Sequence, residues 1–239
     1  MLVPAMTNEE ITLELIKDYN KIEQVQRKKL ELIYHKDRKR QKIDRRANWP
    51  KEYMIQMPKS KNTWMIIFQK SPIRRKYSKP EDTIYNSVTW YYGPQGLRAF
   101  RPTKNYIEVF NAHLFNRYNE RMDLHISRHA DTIRRFFLNS GMLLQETISH
   151  NGREYMMSMC KEGAALGNYH DGSSRRRWLV HNTFITHDQM FNEQVEGKFK
   201  YLTNTMGKLT ALIQERDLTK LDQMQEHITH LITHLDIVA

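Results

Sequence analysis

His113, Arg117 and Arg121 stand at i, i+4 and i+8 within "NAHLFNRYNERMDLHISRHADTIRRFF" (111–137). On a helix that spacing sets one imidazole and two guanidiniums in a single row. An imidazole titrates close to neutrality and can carry a proton in either direction. A guanidinium stays charged and grips a phosphate through two parallel N–H groups. Such a row suits chemistry at a phosphodiester, with His113 moving the proton and the arginines holding the anion. The wet side of an amphipathic helix explains it more simply, because Leu114, Phe115, Tyr118 and Met122 fill the neighbouring sector of the wheel. Arg117 and Arg121 repel each other by roughly a few tenths of a kcal/mol, which an anion between them would relieve. Three residues do not decide between these readings, so the elements that carry them matter.

With 239 residues, the chain makes one large domain or two small ones. It opens on a helix: Thr7 and Glu10 form a capping-box pattern, and Ile11, Leu15, Tyr19, Ile22, Leu30 and Ile33 recur at near-helical spacing. The stripe needs a partner, either the protein's own body or a second copy. Asp18 and Lys29 interrupt it, which argues against a long coiled coil. The helix ends in a basic run, Lys36, Arg38, Lys39, Arg40, Lys42, Arg45 and Arg46, suited to neutralising phosphates or simply to a solvated helix end. "TWMIIFQK" reads as a buried strand, and "TIYNSVTWYYGPQGLRAFRP" as an aromatic strand pair around a Gly-Pro-Gln-Gly turn. Its aromatics beside Arg98 and Arg101 could stack bases, although a packed sheet face explains them better.

Two helices are predicted next, one over about residues 108–122 and one after Ser127 that runs to Leu138. "MLLQETISH" and "REYMMSMC" then flank Asn151-Gly152, and "GAALGNYH" and "RRRWLVHNTFIT" flank Asp171-Gly172-Ser173-Ser174. Turn chemistry of this kind predicts four consecutive antiparallel strands. The tail, 190–239, reads as two amphipathic helices in a hairpin. The expected fold is therefore α+β, an antiparallel four-stranded meander preceded by two helices. An additional aromatic strand pair and long helical N- and C-terminal extensions complete it. The segments are a basic amphipathic helix (1–50), an α+β core (51–189) and a C-terminal helical hairpin (190–239).

With "HLFNRYNER" opening the region and "WLVHNTFIT" closing it, residues 106–186 resemble the barnase–EndoU–colicin–RelE-like ribonuclease superfamily. The resemblance implies metal-independent RNA cleavage, in which a base deprotonates the ribose 2′-hydroxyl for attack on the adjacent phosphate. It implies His113 as base or acid and Arg117 and Arg121 as a phosphate clamp. Thr186, or His181 on the same strand, would supply a further hydrogen bond or the second proton carrier. The long extensions and the extra strands depart from that family's pattern.

Charge narrows the partners. Lys and Arg number 38 against 27 Asp and Glu, for a net charge of +11. Nucleic acid is the first anionic partner this favours, RNA before DNA, and an acidic protein the second. Arg175, Arg176 and Arg177 before Trp178 extend the basic track, or form a solvated turn. The single cysteine, Cys160, excludes an intrachain disulfide and a cysteine-rich zinc module. The short apolar start, and the want of an uncharged apolar run of about 18 residues, predict a cytoplasmic protein with no membrane partner. His227, His230 and His234 share one side of a helix but have no acidic ligand to complete a site, so no metal or other cofactor is expected. Three readings remain: a ribonuclease, a nucleic-acid binder without catalysis, and an assembly protein of a mobile element or virus that forms homo-oligomers through its helical ends.

Overall fold

The computed structural model describes residues 1–40, 50–70, 83–94, 96–139, 144–150, 153–160 and 162–189. Two compact units divide the chain, Met1–Lys70 with Lys79–His187, and Ser71–Ser78 with Asp188–Ala239. The elements that follow belong to the first. The expected C-terminal hairpin lies outside the described residues, as do Lys42, Arg45 and Arg46.

The fold is α+β. Helix α1 (Asn8–Arg40) precedes strands β1 (Lys51–Gln56), β2 (Thr63–Lys70), β3 (Thr83–Gly93), β4 (Gly96–Pro102) and β5 (Tyr106–Asn111). Helices α2 (Ala112–Arg121) and α3 (His129–Asn139) follow. Strands β6 (Leu144–His150), β7 (Arg153–Cys160), β8 (Gly163–His170) and β9 (Arg177–Thr186) complete the unit. All nine strands form one sheet in the order β1-β2-β3-β4-β5-β9-β8-β7-β6.

Strands β6 to β9 do pair antiparallel in succession. They are not a separate meander, because β9 lies parallel to β5 and fuses them to β1–β5. Parallel neighbours need a crossover, and here everything from α2 to β8 supplies it. The expected helix over 108–122 is corrected at its start: "YIEVFN" is β5, and the helix begins only at Ala112. The β-branched and aromatic residues of that hexapeptide are buried on both faces of the sheet, which strand backbone permits and an amphipathic helix does not. Likewise the sheet holds five strands before α2 where three were expected, the other two being β1 and β5.

Both faces carry a core, which explains why "TWMIIFQK" reads as an unbroken apolar run. Met65 and Ile67 face Phe110, Leu114, Phe115, Tyr118, Ile133, Phe136 and Phe137 under α2 and α3. Trp64, Ile66 and Phe68 face the other way, toward Ile11, Leu15, Ile22 and Ile33 of α1. Each of those four aliphatic side chains, once buried, contributes on the order of 2 kcal/mol. The N-terminal helix is thus no free extension but one wall of the core.

The residues that interrupt its stripe lock it in place. The Oδ2 of buried Asp18 accepts from Ser60 Oγ at 2.7 Å, Asn62 Nδ2 at 2.8 Å and Trp64 Nε1 at 3.1 Å. Lys29 lays its ammonium 4.8 Å from the centre of the Tyr53 ring. Thr12 Oγ1 accepts from Trp178 Nε1 at 3.0 Å. At the helix start, the Thr7 N–H donates to Glu10 and holds that carboxyl below its ordinary range, while the Glu10 N–H donates back to Thr7 Oγ1.

Candidate nucleic-acid interface

Position on β9 sorts the basic residues into two groups. Helix α2 packs over the far end of that strand, where Tyr118 meets Phe184 edge to face at 5.0 Å. Its N-cap is Asn111, whose side chain makes no capping bond and donates instead to Asn182 Oδ1 at 2.9 Å. Asn182 is free to turn outward because the strand bulges there: Gly167 pairs with His181 and Leu166 with Thr183, leaving Asn182 unmatched. A Cβ at Gly167 would lie 2.2 Å from Val180 O, so the backbone crosses the bulge only where no side chain intervenes.

The bulge also resets the side-chain phase. Regular alternation would put His181 and Thr183 on one face, whereas His181 stacks on Phe110 at 4.6 Å and Phe184 joins the same core. Each expected catalytic residue therefore has its own surroundings. His113 is exposed in the first turn of α2. Arg117 is 40% exposed and pairs with Glu120 at 2.8 Å. Arg121 donates to the carbonyl oxygen of Phe184, which fixes the end of α2 on β9. Thr186 is half-buried at the last position of that strand. His181 is fully buried, with Nε2 3.5 Å from Glu108 Oε1, and so cannot reach a substrate from where it stands. Only His113 and Arg117 keep an open aspect.

His181 belongs to a buried polar cluster on the α2–α3 face. Glu108, with no exposed surface, takes an ion pair from Arg101, and Arg101 Nη1 donates to Asn86 Oδ1 at 2.8 Å. Burial alone pushes the Glu108 carboxyl up, but the Arg101 guanidinium and the adjacent His181 outweigh it and hold it at about 2. The arginine also lies 5.8 Å from the ring centres of Phe110 and Phe137. At the other end of α2, burial pushes the Tyr118 phenol up, and its O–H donates to Glu162, which also binds Arg135 at 3.1 Å.

The second group of cations lies at the start of β9. Arg177 and Thr183 are six positions apart, roughly 20 Å of strand, so the triad does not border the surface that His113 faces. Its turn is rigid. Ser173 Oγ accepts from the N–H groups of Arg175 and Arg176, at 3.3 and 3.1 Å. Gly172 lies so close to Trp178 that a Cβ would fall 2.0 Å from the indole. Arg176 Nη1 donates to Thr103 O, tying this turn to the one between β4 and β5. Arg175 is 62% exposed, with Nε 3.6 Å from Glu9. Arg177 is exposed, and its guanidinium sits 4.6 Å from the centre of the Tyr169 ring. Exposed Lys104 and Asn105 occupy the neighbouring turn.

Arg38, Lys39 and Arg40 form the last residues of α1. The aromatic partners at the start of β9, Tyr106 and Tyr169, escape a reading of the sequence because they are 63 positions apart and meet only through strand order. Among the described residues, no cluster of His, Cys, Asp and Glu could hold a metal ion, and no helix is long and apolar enough to cross a membrane. No family model, curated protein or solved structure matches the chain.

Proposed function

We propose that this protein binds nucleic acid, RNA in preference to DNA, through the basic end of the sheet. The observation that carries this reading is the arginine triad: three consecutive guanidiniums on a turn held rigid by Ser173, Gly172 and Thr103, in a chain with a net charge of +11. Two of the three, Arg175 and Arg177, are exposed. Guanidiniums fixed before the ligand arrives lose little entropy on binding phosphate, and each phosphate neutralised releases counterions. Glu9 pairs with Arg175, and Asp171 lies four residues before it in the sequence; against three arginines these two carboxylates leave a net positive charge.

The test is titration of a labelled RNA across a salt series. Replacing Arg175 and Arg177 together by alanine should weaken binding about tenfold or more at 0.1 M salt, and lower the salt slope by about one to two. Equal affinity and equal slope for wild type and variant would remove the claim.

A ribonuclease of the RelE-like kind is the second reading, favoured by the exposure of His113 one helical turn from Arg117. His113 would act as base or acid at the 2′-hydroxyl, and Arg117, released from Glu120, would hold the phosphate. Purified protein should then cut RNA to ends bearing 2′,3′-cyclic phosphate, and His113→Ala should slow cutting about a hundredfold or more. Intact RNA, or equal cutting by His113→Ala, leaves a binder without catalysis. The assembly reading loses α1 as its oligomerising arm, because the apolar stripe of that helix is already buried on its own sheet.

A further inference from the structure

At the basic end of the sheet, two aromatic rings meet over a strand that neither belongs to. Tyr106 starts β5 and Tyr169 nearly ends β8, with β9 between them. The pairing of Tyr106 with Arg177, and of Tyr169 with Leu179, sets all four side chains on the same face. The rings touch edge to face, centres 5.9 Å apart and planes at 88°. Both are half-buried, so each keeps part of its surface in solvent. Arg177 lies against Tyr169, and exposed Lys104 and Asn105 occupy the turn that leads into Tyr106, whereas Arg175 reaches Glu9 of α1 and His170 shares the face of Trp178.

The two supporting turns are pinned together. Thr103 Oγ1 donates to Tyr106 O at 2.8 Å and accepts from the N–H groups of Asn105 and Tyr106, while Thr103 O accepts from Arg176. The rings are therefore held at a set spacing beside the guanidinium of Arg177. This is the combination that unpaired nucleotides need: a flat π surface for the base and a fixed cation for the backbone. A duplex offers the phosphates but not the base faces, which stack on each other and are hidden.

We propose that Tyr106 and Tyr169 form a stacking platform for unpaired bases, so that the ligand of the basic sheet end is a single-stranded nucleic acid. The proposal rests on the nucleic-acid reading and names the ligand class of that same site. Its competitor is packing alone, in which the tyrosines merely cover buried Leu179.

Full-length protein, titrated by fluorescence anisotropy with a single-stranded RNA, the same strand as DNA and the matching RNA duplex, separates the two. The expected result is single-strand binding about tenfold tighter than duplex binding. Tyr106→Leu with Tyr169→Leu should weaken single-strand binding about tenfold or more while leaving the salt slope and the duplex affinity in place. Tyr106→Phe with Tyr169→Phe keeps the rings and should bind as wild type. The ratio of RNA to DNA affinity assigns the strand chemistry, and tight binding of either strand supports the platform. Equal wild-type affinity for strand and duplex overturns the proposal without recourse to any variant. So does full single-strand affinity in the leucine variant, provided the arginine variant has lost it. If the arginine variant also binds as wild type, it is the nucleic-acid reading that falls.

Discussion

Arg101→Ala is expected to cost about 3–5 kcal/mol of folding stability, because it strands the Glu108 carboxylate, which has no exposed surface, without its cation. Chemical denaturation at neutral pH is the measurement, and a loss under about 1 kcal/mol would falsify the account of this cluster. Replacing both partners, as Arg101→Met with Glu108→Leu, should recover part of the loss, since no buried charge is then left unpaired. The same pair sets an acid limit. Glu108 titrates at about 2 in the fold against an ordinary 4.5, so its ionised form is favoured by folding. A depressed carboxyl contributes stability that is complete above about pH 4.5 and drains away as the pH falls toward 2, on the order of 3 kcal/mol in all. In Glu108→Gln, the slope of stability against pH in that window should flatten.

A second large effect is expected from Asp18→Ala. Three buried donors, Ser60 Oγ, Asn62 Nδ2 and Trp64 Nε1, would lose their shared acceptor at once. Each unsatisfied donor costs roughly 1–3 kcal/mol, and partial relaxation puts the total at about 3–5 kcal/mol. The loss should be local in origin, with the backbone amides of α1 exchanging with deuterium sooner than those of β4 and β5. Lys21→Ala, on the exposed side of the same helix, serves as the control and should stay within about 0.5 kcal/mol of wild type. Equal melting of the Asp18 variant and wild type would show that the carboxylate does not anchor the helix.

Local signals made much of this fold legible. The capping box at Thr7 and Glu10, the apolar stripe of α1 and the turn residues that flank β6 to β9 depend on near neighbours and can be read along the chain. Strand β5 could not be read this way. "YIEVFN" runs straight into α2 without a glycine or proline to mark the change, so helical periodicity extends the expected helix about four residues too far toward the N-terminus. Its parallel partner is more distant still, since nothing local in "YIEVFN" points to "WLVHN". The candidate site was legible in composition but not in arrangement. His113 and Arg117 lie on the outer side of α2 as the wheel requires. His181 went inward because a bulge, set by close backbone approach at Gly167, shifted the phase of the strand. Asp18 read as a flaw in the stripe because its three donors come from 42 to 46 residues further on.

Strand order also has a consequence for synthesis. Asn111 and Asn182, bonded where β5 and β9 lie side by side, are 71 residues apart. At ribosomal speeds of about 5–20 residues per second, β5 emerges several seconds before its parallel neighbour exists. In that interval the nascent sheet β1–β5 would end on an apolar edge that carries the carboxylate of Glu108 and is open to pairing with another chain. The Arg101–Glu108 ion pair, made within one antiparallel hairpin, is available from the start. A charge held at that edge discourages a foreign strand while the rightful one is still being made.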